Sequence, residues 1–190
     1  MKQNKTHKLV SIAMLAAIGY LLMFIAFPVI PAFPFMKVDF SEIPILIGAY
    51  LFGPGAAVMT AFIRSLLHFL TTGGDVGALI GDTTSFFAAL SFVLPIYYLS
   101  RRSHSKKSLI SALIVGTLVM TVTMMIVNYT IALPLYLKFV HLDLGMGFIK
   151  YVIIGVAPFN LIKGSLLTVF FLGIHERLLP ALLKKQYIKK

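Results

Sequence analysis

The chain has 190 residues, a length that suits one domain, but 59% of them are hydrophobic and only 12% charged. With a mean hydropathy of +0.95, that composition belongs to an integral membrane protein and excludes an ordinary water-soluble one. The absence of cysteine excludes disulfide frameworks, thiolate metal sites and thiol catalysis. The net charge of +11 sits at the ends of apolar runs, not on an amphipathic face interleaved with aromatics, so it reads as a topology signal facing anionic lipid and argues against a nucleic-acid partner.

The N-terminus MKQNKTHK is followed by an uncharged run from Leu9. That run is too long for a signal-peptide core and ends in prolines, not in a small-residue cleavage site, so it predicts an uncleaved first span over 9–27. Pro28, Pro31 and Pro34 stop it. The stretch Pro28 to Pro44, PVIPAFPFMKVDFSEIP, then places Lys37, Asp39 and Glu42 between two apolar segments. It is too irregular for a helix and too apolar for a solvated loop.

From Ile43 to Leu70 a second apolar region of 28 positions is broken by Gly53-Pro54-Gly55. Clearer spans follow over 83–100, 108–137 and 151–174. Charge decides how the broken region crosses. As a single span it gives five crossings, with Lys2, Lys5, Lys8, Lys138 and Lys150 inside and ten basic residues outside. With a tight turn at Gly53 there are six crossings, over 9–27, 43–52, 55–70, 83–100, 108–137 and 151–174. Twelve basic residues then lie inside, and only Lys37, Lys138 and Lys150 outside. The positive-inside rule selects six, with both termini cytoplasmic. The fold class expected is therefore an all-α multi-pass protein of the cell membrane, one six-helix domain over 1–190.

The short second span has a consequence. Ten residues make about 15 Å of helix, half of a hydrocarbon core of about 30 Å. The Pro-rich stretch before it must complete the crossing as a re-entrant first extracellular loop, and irregular backbone at that depth is tolerated only where it is buried or lines a cavity. Further on, Asp82 before Thr83-Thr84-Ser85 reads as the N-cap of the fourth span, and Leu178 to Lys190 as a basic amphipathic tail.

Polar groups inside spans are costly and therefore informative. Glu42 stands at the mouth of the second span, Asn128 in the fifth, and Asn160 and Lys163 share a face of the sixth. A carboxylate, two carboxamides and an ammonium suit a neutral, polyfunctional heterocycle with hydroxyls. The bland alternative is glue between helices: an Asn pair bonded across helices and a structural Glu42–Lys163 ion pair. Arg64 has Glu42 and Asp82 as candidate partners in a buried structural pair. His7, His68, His104, His141 and His175 show no metal-ligand spacing, and no G-x-x-x-x-G-K-[ST] loop is present. Ala13 and Ala17, with Ala16 and Gly19 nearby, make a small-xxx-small stripe on the first helix, suited to internal packing or to docking another membrane protein.

Taken together, the six spans, the Ala13/Ala17 stripe, the short second span, K-V-D-F-S-E-I-P at Lys37 to Pro44, Asn128, and F-N-L-I-K-G at Phe159 to Gly164 resemble the S components of energy-coupling-factor (ECF) vitamin transporters, and among them the riboflavin-specific members. The resemblance implies a non-enzymatic subunit that binds vitamin from outside, with a transmembrane coupling subunit and two ABC-type ATPases as partners and riboflavin as transported ligand, not cofactor. It implies that Glu42, Asn128, Asn160 and Lys163 hydrogen-bond the flavin and its ribityl chain, that Val38, Asp39 and Phe40 belong to the covering loop, and that Ala13 and Ala17 face the coupling subunit. Leu46 and Leu79 are taken, outside any motif, as apolar neighbours of the ring. An S component for thiamin, folate or pantothenate is the alternative of the same class; an intramembrane lipid-modifying enzyme is the alternative of another.

Overall fold

The computed structural model describes residues 5–101, 105–141 and 145–175; Lys2, Arg102 and the expected amphipathic tail at 178–190 lie outside them. Helix α1 (Lys5–Met23) ends at Met23, short of the first proline. Pro28 requires an extended residue before it. Phe27–Pro28 (β1) accordingly pairs antiparallel with Lys37–Val38 (β2), Phe27 opposite Val38 and Pro28 opposite Lys37. This two-rung ladder pins the base of the Pro-rich loop. Inside the loop Phe33 is buried, its ring 5.4 Å from that of Tyr151, above Gly155, where any Cβ would come within 3.2 Å of the Phe33 ring.

Helix α2 (Glu42–Phe52) is buried without interruption from Glu42 to Ala49. A helix apolar on every side needs neighbours on every side, and α2 has them in α1, α3 and α4. Gly53, at φ 90°, occupies backbone space that residues with a Cβ rarely enter. Pro54, whose missing N–H costs nothing in a first turn, starts α3 (Pro54–Thr71). The break expected at Gly53 is thus present.

Helix α4 (Val76–Ser100) begins seven positions before Thr83, and its N-cap is Asp75, whose side chain accepts a hydrogen bond from the Ala78 N–H at 2.6 Å. The cap assigned to Asp82 is therefore corrected. Asp82 lies inside the helix, buried, because the Gly73-Gly74 turn, both residues at positive φ, is the true helix boundary.

Helices α5 (Lys106–Val140) and α6 (Phe148–His175) are long but not uniform. Wide π-type turns occupy Asn128–Ala132 and Tyr136–Val140 in α5 and Val152–Val156 in α6. Pro134 offers no N–H to the carbonyl of Thr130, nor Pro158 to that of Ile154, and each ring presses on that carbonyl, so the turn before each proline opens. Among the described residues four helices, α1, α4, α5 and α6, are long and apolar enough to cross a membrane; α2 is short, and α3 carries Arg64. The outer faces are strongly apolar, with Val169 71% exposed, as lipid contact demands.

The helices follow one another in space: α3 packs on α4, α4 on α5 and α5 on α6, with α1 against α2 and α3. Small residues set the spacing at α5. A Cβ on Gly116 would lie 2.5 Å from Ile96 Cγ1 and 2.9 Å from the Phe92 carbonyl oxygen, and one on Gly164 would collide with Thr117. Close backbone approach of this kind is how apolar helices associate in lipid, where burial alone provides no drive. Gly116→Val is therefore expected to destabilise the protein by about 1–3 kcal/mol, read as a lowered thermal midpoint in detergent; an unchanged midpoint contradicts the close crossing.

Candidate functional site

A cavity of about 690 Å³ lies between the Pro-rich loop, the end of α1, and α3, α4, α5 and α6. That volume suits a ligand of vitamin or drug size. The loop contributes Phe35, Met36, Lys37 and Asp39 to its wall, so the irregular backbone lies where membrane physics tolerates it, against a cavity.

One polar end of the cavity is built by α5 and α6. Asn128 and Asn160 both line it, and each donates one amide N–H to a carbonyl one turn back in its own helix, Asn128 to Met124 and Asn160 to Val156, both at 2.8 Å. Each carboxamide thereby keeps its oxygen and a second N–H for another partner. The two do not bond each other across helices, as the bland alternative would have required. Lys163 also lines the cavity. Its Nζ lies 2.6 Å from Glu42 Oε1 and 3.9 Å from Asp39 Oδ2.

Glu42 is fully buried behind Lys163, and the Lys163 ammonium, 2.6 Å from Oε1, is the partner that holds it, with no other donor on its carboxyl oxygens among the described residues. The sequence groups Glu42 with the cavity polar residues; the structure sets it one layer back, as the counter-ion of Lys163, and the carboxylate that reaches the cavity wall beside Lys163 is Asp39. Asp39 accepts the Ser41 N–H at 2.8 Å.

The other expected contacts fall elsewhere. Val38 and Leu46 are wholly buried in the protein interior, Phe40 stacks on Phe170 with centroids 4.6 Å apart, and Leu79 is 51% exposed. None of these four lines the cavity. Leu46 belongs to α2, which gives the cavity no residue, while Val38, Phe40 and Leu79 belong to segments that do line it but at positions turned elsewhere, a distinction that hydropathy does not carry. The apolar lining instead includes Met36, Met124, Leu133, Val156 and Phe159.

Arg64 is fully buried, and its partners are hydroxyls, not carboxylates: Ser41 at 2.6 Å, Ser85 at 3.0 Å and Ser65 at 3.2 Å. The expected pairing with Glu42 or Asp82 is not formed. Asp82 is taken by His68, whose Nδ1 lies 2.8 and 3.0 Å from its two oxygens. Arg64 ties the loop through Ser41 to α4 through Ser85, and it packs against Gly19 of α1, where a Cβ would be 3.4 Å from both Arg64 Cδ and the Ser41 carbonyl oxygen.

Ala13 and Ala17 are exposed, whereas Ala16 and Gly19 are buried. The stripe thus divides: Ala16 and Gly19 serve internal packing, while Ala13 and Ala17 lie on an outward apolar face with Val10, Met14, Ile18 and Leu21.

A helical membrane fold whose own loop walls a vitamin-sized cavity, with no metal-binding cluster among the described residues, defines a membrane-embedded small-molecule binding protein. The chain belongs to the family described as ECF transporter, substrate-specific component, whose model matches residues 7–175. It is 39% identical over 183 residues to the "Riboflavin transporter RibU" of Streptococcus thermophilus, covering 95% of this chain and 87% of that one. It is 36% identical over 179 residues to the "Riboflavin transporter FmnP" of Bacillus subtilis, covering 93% and 94%. A solved structure, "Structure and mechanism of the S component of a bacterial ECF transporter", matches with a TM-score of 0.80 at 36% identity over 94% of this chain and 99% of that one.

Proposed function

We propose that the chain is the riboflavin-binding subunit of an ECF transporter: a single six-span domain with both termini cytoplasmic, which delivers vitamin captured from outside to a coupling subunit driven by two ABC-type ATPases. The observation that carries this reading is the near full-length likeness to proteins named riboflavin transporters. Its chemistry agrees with the cavity. The isoalloxazine ring of riboflavin carries carbonyl and imide groups along one edge and apolar carbon along the other, and its chain carries hydroxyls.

In this reading Asn128 and Asn160 meet the polar edge of the ring with their uncommitted amide groups, Lys163 donates to a carbonyl, and Asp39 accepts from a hydroxyl or imide. Glu42 acts through Lys163, fixing and neutralising it. Two basic and two acidic groups, Lys163, Arg64, Asp39 and Glu42, balance at this end, which suits an uncharged ligand. The orientation rests on the charge count: twelve basic residues inside against three outside.

Asn128→Ala is expected to weaken riboflavin binding at least about tenfold, ~1.4 kcal/mol, because a buried ligand group loses its partner; unchanged affinity would remove Asn128 from the site. For the assignment as a whole, purified protein is expected to carry or take up flavin, and thiamin, folate and pantothenate are expected not to displace it. Displacement by one of those vitamins would give the subunit to that vitamin instead.

A further inference from the structure

The cavity has a second polar wall that neither the helix-six motif nor the loop supplies. His68 of α3 and Asp82 of α4 both line it, on helices that pack directly on each other. Both carboxyl oxygens of Asp82 are within 3.0 Å of His68 Nδ1. A carboxylate can only accept from that nitrogen, so the ring proton sits on Nδ1, and in the neutral imidazole Nε2 is left as an acceptor. Nε2 has no partner among the described residues. The ring is further fixed by Phe24, whose centroid is 5.6 Å away, and its side chain is 24% exposed.

Such an arrangement is costly to keep for packing alone. Asp82 is 5% exposed, and a buried carboxyl spent on orienting an imidazole leaves the other ring nitrogen uncommitted on a residue that lines the cavity. A ligand hydroxyl would satisfy it. The carboxamides and ammonium of the α5/α6 end suit the heterocycle, and an oriented imidazole acceptor suits an alcohol O–H.

We propose that His68, held in one tautomer by Asp82, is a ligand-contacting residue that accepts a hydrogen bond from a hydroxyl of the ligand's polyol chain. This rests on the riboflavin reading and says which part of the ligand this wall holds. Asp82 is a positioning residue, acting through the ring.

The test compares riboflavin with lumiflavin, which keeps the ring and replaces the polyol chain by a methyl group, on the full-length protein in detergent. His68→Phe, which keeps an aromatic ring and removes the acceptor, is expected to weaken riboflavin about tenfold and to leave lumiflavin unchanged. Asp82→Asn, whose amide can donate to Nδ1 and so favour the wrong tautomer, is expected to weaken riboflavin by a smaller factor, again without effect on lumiflavin. His68→Gln, which retains an acceptor, is expected to recover part of the loss. Equal weakening of both flavins, or of neither, overturns the proposal and leaves the riboflavin assignment standing. A parent protein that binds neither flavin overturns that assignment, and this inference with it.

Discussion

Replacing Lys163 with methionine is expected to abolish high-affinity ligand binding and to destabilise the protein by about 3–5 kcal/mol, the usual cost of stranding one partner of a buried ion pair. The reason is specific to this geometry. Lys163 Nζ is 2.6 Å from Glu42 Oε1, and Glu42 is fully buried with no hydrogen-bond donor to replace the lost ammonium. Asp39 loses its nearest cation in the same step. The two losses can be separated. Adding Glu42→Gln to Lys163→Met removes the orphaned charge, so the double variant is expected to regain most of the thermal midpoint while still failing to bind. A single variant as stable as the parent would show that the pair carries no such energy, and a double variant that binds normally would remove Lys163 from the ligand.

Ala13→Trp is expected to abolish transport while leaving ligand affinity unchanged. Ala13 and Ala17 are exposed on the face of α1 away from the cavity, among Val10, Met14 and Ile18. A large ring there meets only lipid in the isolated subunit. Against another membrane helix it would separate backbones that small residues otherwise let approach closely. The measurement is paired: flavin affinity of the purified subunit, and uptake in cells that also carry the coupling subunit and ATPases. Normal uptake by the variant would place the docking surface elsewhere, and lost affinity would show that the face serves internal packing after all.

Much of this was legible in the sequence because membranes impose few solutions. The break at Gly53-Pro54-Gly55 could be argued from the distribution of Lys and Arg alone, and the structure turns there, with Gly53 at φ 90°. The shortness of α2 then forces the Pro-rich loop inward, and Asp39, Lys37 and Met36 do lie at the cavity. Asn128, Asn160 and Lys163 could be found because polar groups in apolar helices are rare and expensive.

What escaped the sequence depends on relations between helices. His68 and Asp82 are 14 residues apart on α3 and α4, a separation that carries no periodic signal, and their pairing exists only once those helices pack. Arg64 invited carboxylate partners on grounds of charge, yet three hydroxyls from Ser41, Ser65 and Ser85 surround it, and serines are too common to single out. The start of α4 is ambiguous in the sequence because Asp75 and Asp82 are both capping residues ahead of helix-compatible segments. Only the positive φ of Gly73 and Gly74 decides which one caps. For Leu46 and Leu79 the sequence carries no face information: α2 is apolar all round, and the apolar positions of α4 point both inward and outward.

The central claim, that the cavity between the Pro-rich loop and α3 to α6 holds riboflavin, is tested most directly by titrating the purified full-length protein with riboflavin and following flavin fluorescence. Saturable quenching at sub-micromolar ligand, with one flavin per chain and loss of the signal in Asn128→Ala and Lys163→Met, is the predicted result. A flat titration from protein that is folded by circular dichroism and has been freed of bound flavin would contradict it.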